Sequence, residues 1–227
     1  MGIEIGLGIT IGTGITLTPG PPAVPTVIGE AFGGGFYAGQ IGVSGVATHY
    51  LIIGPVASAQ VSNLVWKNSN TATPGAASNI DGPQNTADMV ADGSSTVYPA
   101  AHFCNDLSTG GQTDWYMPAK NELEVCYYNL KPTTGSNVTS SGINPNAVPA
   151  RASNYTSGNP ARTSAAIFQS GGSEALSTAN FGYWSSTARG SPDAWFQYIN
   201  YGYQSWISKS LGGTAITRLR AIRRIAV

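Results

Sequence analysis

Apolar positions along this chain recur at two periods, and the changes of period mark its elements. Residues 2–17 read GIEIGL, GITIGT, GITL, with Gly at 2, 8 and 14. Ile3, Ile9 and Ile15 form one apolar row and Ile5, Ile11 and Leu17 a second, at the strand period of two. One copy cannot bury both rows, whereas intertwined or stacked copies can. The segment therefore predicts an oligomerisation stalk or an anchor strand. A leader or an ordinary hairpin remains the plain alternative. Residues 18–30 follow as a Pro-rich linker, with Pro at 19, 21, 22 and 25 favouring an extended chain. The pattern thus predicts three parts: a repeat over 1–17, a linker over 18–30 and a globular domain over 31–227.

Strand patterns dominate from 32 to 66. HYLIIGPV (49–56) reads as a buried strand and VSNLVWK (61–67) as another. NSNTATPGAASNIDGPQN (68–85) is loop by composition. Helical spacing appears over 86–91 and 97–107, where Ala101, Cys104 and Leu107 recur and Pro99 fits the first turn. GGQTDWYMP (110–118) reads as a turn into a short strand. AKNELEVCYYNL (119–130) then carries Leu123, Cys126, Tyr127 and Leu130 on one helical stripe. Ala119 occupies the capping position, so the side-chain cap is missing and a full capping box with Glu122 cannot form; that costs about 1 kcal/mol. Residues 131–160 have almost no apolar pattern, and a long irregular stretch of this kind is usually functional or mobile. ARTSAAIFQ (161–169) predicts a short helix. From 181 the chain is again strand-like, ending in AITRLRAIRRIAV, read as one strand with one packed and one wet face.

Four motifs in fixed order tie these elements together: GGQTDWYMPAKNEL (110–123), YWSST (183–187), AWFQYINYGYQ (194–204) and RLRAIRRI (218–225). Together they resemble the Lcl C-terminal domain family, a divergent C-type lectin fold found in bacterial collagen-like adhesins and phage tail proteins. The resemblance covers about residues 33–227. It implies an α+β domain with an antiparallel sheet, two main helices and long loops on one side. It also implies binding rather than catalysis. The N-terminal repeat lies outside it. In members of the family a Ser, Thr or Asp often stands where this chain has Ala119.

Composition narrows the class. Only 10% of the 227 residues are charged, Lys plus Arg and Asp plus Glu number 11 each, and Gly contributes 29 residues. A hydrophobic content of 41% still supports a core. Zero net charge argues against nucleic acid or an anionic membrane as a partner found by broad electrostatics. No run of about 20 apolar residues exists for a membrane helix. The N-terminus shows neither the basic nor the compact apolar region of a secretory signal. Cys104 and Cys126 fall in predicted helices and read as free buried thiols, with a disulfide not implied by their spacing.

Candidate chemistry is sparse. A hydrolase triad needs a His base, and the two histidines, His49 and His102, carry no local motif. Asp114, Glu122, Glu124, Glu174 and Asp193 are the carboxylates that a glycosidase pair would have to use. Asp114 and Glu122 sit in family motif positions, which implies fold-stabilising roles. The resemblance raises the question of calcium, which sugar-binding C-type lectins hold on acidic loop ligands. Asn144-Pro145-Asn146 is the nearest match and lacks the acid, so neither metal nor cofactor is expected. Arg218, Arg220, Arg223 and Arg224 form a local basic cluster, to be spent on salt bridges or an interface, or on a polyanion.

The aromatic run from Tyr183 to Trp206 carries most weight. If Trp195, Gln197 and Ile199 point inward, Phe196 and Tyr198 face the other way. Tyr201 and Tyr203 flank Gly202 in a predicted turn. Tyr198, Tyr201, Tyr203 and Trp206 are therefore the candidate ligand-binding or subunit surface, with plain sheet packing as the other reading.

The sequence thus predicts a non-enzymatic bacteriophage virion protein of tail-fibre or adhesin type, working as a homotrimer in the particle. Its partners would be other virion proteins, through Ile3, Ile5, Ile9, Ile11, Ile15 and Leu17, and a host surface glycan or protein. A capsid fibre or decoration protein, or a bacterial surface adhesin, are the alternatives.

Overall fold

The computed structural model describes residues 24–179, 182–211 and 217–227. The Gly/Ile repeat and most of the Pro-rich linker lie outside the described residues. Within them, strands and helices mix in an α+β architecture consistent with a C-type-lectin-like fold. The first sheet joins β1 (Ala31–Phe32), β2 (Gly35–Val43), β3 (Val46–Ile53) and β9 (Ile222–Ala226) in that order. The second runs β4 (Gln60–Ser62), β8 (Thr217–Arg220), β5 (Gly182–Arg189), β6 (Asp193–Tyr198), β7 (Gln204–Ser208). Every ladder is antiparallel except β5 with β8, which is parallel. The expected antiparallel sheet is therefore two sheets with one parallel seam.

Both sheets carry apolar side chains on both faces. Tyr50 and Ile52 belong to one core, and their neighbours Leu51 and Ile53 to another. In the second sheet Trp184 and Phe196 enter the first core while Tyr183 and Ile199 enter the second. A strand buried on two sides needs an unbroken apolar run, which is why HYLIIG lacks alternation. The first core is closed by α2 (Gly82–Asp92) and α3 (Pro99–Asn105), through Met89, Ala100, Ala101 and Cys104. The second is closed by α4 (Lys120–Leu130), through Leu123, Cys126, Tyr127 and Leu130. Cys104 and Cys126 are buried free thiols, one in each core, and burial raises the pKa of both.

Several local expectations are corrected. The last run is two strands, not one. Gly54 donates to the Ala221 carbonyl and Ala221 donates to Ala59, so the chain changes sheets at Ala221. VSNLVWK is a strand only to Ser62. Asn63 takes φ 63°, a left-handed turn that Asn tolerates, and redirects the chain. Trp66 and Trp184 then exchange indole bonds across the gap, to the carbonyls of Ser185 (2.8 Å) and Leu64 (3.0 Å). Residues 56–59 form a short helix, α1 (Val56–Ala59), where the pattern suggested continued strand. GGQTDWYMP makes two isolated bridges, Gln112 to Thr109 and Tyr116 to Ile222, rather than a strand. Gly110 takes φ 60° and passes so close to Gly34 that a side chain there would meet its carbonyl oxygen. The predicted helix at 161–169 is one 3-10 turn, Ala166–Phe168.

Helix α4 shows how the missing cap is compensated. Its Ala119 amide donates to the Glu122 carboxylate at 2.8 Å, the half of a capping box that needs no side chain at the cap. The Lys120 amide donates to the Thr187 hydroxyl (2.9 Å) and the Asn121 amide to the Asn79 carbonyl (2.8 Å). Strand β5 and the 68–81 loop thus satisfy the first-turn donors that a local cap would satisfy. That same loop is clamped by Lys209. Its buried ammonium donates to the carbonyls of Thr71, Gly190 and Ser191 at 3.0–3.1 Å.

Two stability measurements test these features. Thr187→Val removes the remote cap and should lower unfolding free energy by about 1 kcal/mol in urea denaturation. Lys209→Met removes the donor shared by three carbonyls that hold the loop in place and should cost more, about 2–3 kcal/mol. A Lys209→Met protein as stable as the parent would show that the clamp contributes nothing.

Candidate functional site

The β6–β7 hairpin presents the aromatic run. Its register pairs Trp195 with Trp206 and Gln197 with Gln204, and Tyr198 donates its amide to Tyr203 at the turn. Residues opposite each other across an antiparallel pair share a face, so the aromatics sort into two groups. Tyr198 and Tyr203 lie on one face with Phe196, and Trp195 and Trp206 on the other. Tyr198, Tyr201 and Tyr203 stack nearly parallel, with interplanar angles of 11–25° and centroids 5.3–6.4 Å apart. Phe196 supports them edge-on, its ring 4.9 Å from that of Tyr198. All three tyrosines are half-buried, so each offers part of a ring to solvent.

The second group is a ladder of cations and indoles. Trp195 and Trp206 meet edge to face at 5.4 Å. Arg189 lies 3.5 Å over Trp206, and the Lys120 ammonium lies 3.9 Å over Trp195. Trp206 is 42% exposed. The four aromatic candidates therefore do not form one surface. The three tyrosines are brought together, and Trp206 stands apart with Trp195. The expected inward face of β6 is also only partly right. Gln197 and Ile199 are buried, but Phe196 is buried too and Trp195 is half-exposed, because a core lies on each side of the sheet.

The turn needs its glycine. Gly202 takes φ 75°, and a Cβ there would meet the Tyr127 ring at 2.4 Å. The hydroxyl of Tyr127 in turn donates to Asn137 (2.7 Å), and the Val138 amide donates to the Tyr201 carbonyl (2.9 Å). The tyrosine turn is thus seated on the 131–160 insertion.

That insertion is ordered by a polar network around Glu124 of α4. The Glu124 carboxylate accepts bonds from Tyr155 (2.6 Å), Asn144 (2.5 Å) and Arg151. Arg151 also stacks on Tyr128, 3.9 Å above the ring. Burial raises the Glu124 pKa, and Arg151 and the hydrogen bonds oppose that. Asn144 is fully buried, bonding the Asn121 carbonyl, and its own side-chain oxygen accepts the amides of Asn146 and Ala147. The Asn144 side chain is therefore an internal brace, with both of its ends spent on protein groups. Among the described residues no cluster of three or more His, Cys, Asp or Glu side chains is placed to hold a metal.

The remaining candidates are scattered. His102 bonds the Gly93 carbonyl at 2.8 Å, and His49 bonds Thr48 at 3.0 Å. Arg220 pairs with Glu174 (2.6 Å), Arg223 with Asp114 through two bonds (2.7 and 2.8 Å), and Arg224 with Asp81 (3.0 Å). Most of the basic cluster is thus spent on ion pairs, with loop carboxylates and, for Arg224, also with Glu122 of α4 at 4.0 Å. Asp193 faces Arg189 at 4.0 Å. Glu122 is sealed, holding Tyr116 and the Ala119 amide at 2.8 Å each, with Arg224 4.0 Å away. Burial pushes its pKa up to about 7, against the opposing pull of its hydrogen bonds and Arg224.

This arrangement is set on a C-type-lectin-like α+β scaffold. The sequence profile of the Lcl C-terminal domain matches residues 56–223, and the chain belongs to that family. Membership points to an adhesin-like surface domain. No curated protein matches the chain. The match begins at α1 and ends within β9, so it spans both helical layers and the whole aromatic hairpin.

The buried carboxyl gives a pH signature. A carboxyl whose pKa is higher folded than unfolded holds its proton better in the folded state. Its stabilising contribution is therefore complete below about pH 4.5 and is lost as pH rises through about 7. From this group the loss should total about 3 kcal/mol, with Glu124 adding in the same direction. Urea unfolding at pH 5 and pH 7.5 measures it. Glu122→Gln should flatten most of that slope, and an unchanged slope would remove Glu122 as its source.

Proposed function

We propose that this domain is the non-enzymatic recognition head of a bacteriophage virion protein, of tail-fibre or adhesin type, which attaches to a host surface glycan or protein. The observation that carries this reading is the tyrosine group at the β6–β7 turn. Three near-parallel rings, held by Phe196 beneath and the insertion beside them, form a rigid partly exposed platform. Rings fixed in advance lose little conformational freedom on binding, and tyrosine offers both a flat apolar face and a hydroxyl. Membership of an adhesin-like family supports the same reading. Binding would need neither metal nor cofactor. Weak single sites gain from avidity, so a homotrimer assembled through the Gly/Ile repeat fits this role.

Two experiments test it. The double variant Tyr201→Ala/Tyr203→Ala should cut attachment to host cells at least roughly tenfold, while the melting temperature falls by only about 2–4 °C. Parallel loss of attachment and stability would show that these rings are packing alone. The solution mass of the full chain, against a chain starting at Ala31, tests the assembly. A trimer that becomes a monomer on truncation supports the stalked head. A full chain that stays monomeric would make the repeat a docking strand for another virion protein and favour a capsid decoration role.

A further inference from the structure

A second surface lies beside the Trp195 ladder. A cleft of about 590 Å³ opens between the first turn of α4, the 140–146 part of the insertion and the start of β7. Seven of its twelve lining residues carry a side-chain amide or hydroxyl, Ile80, Ile143 and Pro145 add apolar wall, and Lys120 is the one charged residue among them. The helix amides at this point are already bonded to Thr187 and Asn79, so the cleft does not depend on a bare helix end.

Several of its polar groups have no partner. Within the described residues, the side chains of Asn79, Asn154 and Gln204 and the hydroxyl of Ser140 make no hydrogen bond. The Lys120 ammonium has no carboxylate within ion-pair reach and rests on the Trp195 ring alone. Partial burial holds its pKa below the ordinary lysine value, and no charged neighbour offsets that. A smaller hollow shares Lys120 and Gln204 with the cleft. There the buried Gln197 side-chain oxygen is also without a hydrogen-bond partner. Ile143, 53% exposed, adds one apolar contact at the rim.

The walls are fixed. Asn121 bonds Asn146 at 2.8 Å, Asn146 bonds the Gly42 carbonyl at 3.1 Å, and the Gln204 amide bonds the Ser141 hydroxyl at 3.0 Å. Behind them stands the buried Glu124 network. Such a cleft is built before its ligand arrives, so little ordering cost is left to binding.

We propose that this cleft binds a carboxylated saccharide unit, with Lys120 pairing its carboxylate and the free amides of Asn79, Asn154 and Gln204 taking its hydroxyls. Neutral amides and hydroxyls match the alternating donors and acceptors of a sugar ring. A single half-buried cation seated on an indole can form a charge-assisted bond to one acid group. Phosphorylated or highly sulfated polyanions fit less well, because one cation cannot balance several charges. The proposal rests on reading the domain as a surface-recognition head, and it names a subsite separate from the tyrosine platform.

The test compares methyl β-glucuronide with methyl β-glucoside, which differ in one carboxylate. NMR titration of the 15N-labelled full chain should show the glucuronide shifting amides over 140–146 and Gln204, with affinity roughly tenfold above the glucoside. Lys120→Met keeps the apolar stem on Trp195 and should erase that preference. Asn154→Ala, at an exposed position, should weaken both sugars. Equal affinity for both glycosides, binding to neither, shifts centred on Tyr201 and Tyr203, or a preference that survives Lys120→Met would each overturn the proposal. Glucuronide binding that fails to compete with host-cell attachment would support the cleft and count against the host-recognition reading. Attachment lost with the two tyrosines, in a protein blind to both glycosides, would do the reverse.

Discussion

The carboxylate of Glu124 ties the 131–160 insertion to helix α4 and, through Tyr155, to the aromatic hairpin. The 131–160 insertion has too few apolar side chains to fold by burial. It is ordered instead by converging bonds from Tyr155, Asn144 and Arg151 onto one buried helix residue. An unpaired buried charge would be costly, so each of those partners is held in place by the same requirement. Tyr155 in turn meets Gln197 of β6, and Val138 meets the tyrosine turn. One polar knot therefore sets the position of the cleft wall and of the aromatic hairpin.

The two sheets solve a related problem. Each carries a core on both faces, and the chain passes between them at Ala221, where bonds to Gly54 and Ala59 fix the crossing. This explains how a chain with little charge and many glycines still buries Trp66, Trp184, Tyr98 and Tyr127 almost completely. The large aromatic side chains supply apolar area that a shorter list of aliphatic residues could not. Their polar ends are bonded across the structure, as in the Trp66 and Trp184 indoles. Both proposed surfaces sit at the edge of this scaffold, where the insertion meets β6 and β7.

The residues of the two proposed surfaces are largely distinct from those that fill the cores. Glu122 and Glu124 lie within the body of the domain, and burial raises both pKa values. Tyr201, Tyr203, Asn154 and Lys120 are more open and hold up little of the core. Lys120 is the informative case. It sits at the first position of α4 and belongs to a family motif, yet among the described residues its ammonium makes no hydrogen bond or ion pair and rests on the Trp195 ring.

The sequence by itself determined the class of the fold, the helix stripe of α4 and the strands on either side of the aromatic hairpin. Period and turn chemistry are local, and Leu123, Cys126, Tyr127 and Leu130 needed no distant partner to be read. Local signals also gave the weakness at Ala119, but not its remedy, because Thr187 and Asn79 reach it from far along the chain. The division of RLRAIRRIAV between two sheets was equally invisible, since both halves keep the same alternation. So was the sorting of Trp206 away from the three tyrosines, which depends on cross-strand register. The cleft around Lys120 has no motif of its own, since Lys120 and Gln204 belong to two separate motifs. Its groups come from a loop, a helix start, an insertion and a strand, and only tertiary packing could decide that they face one another.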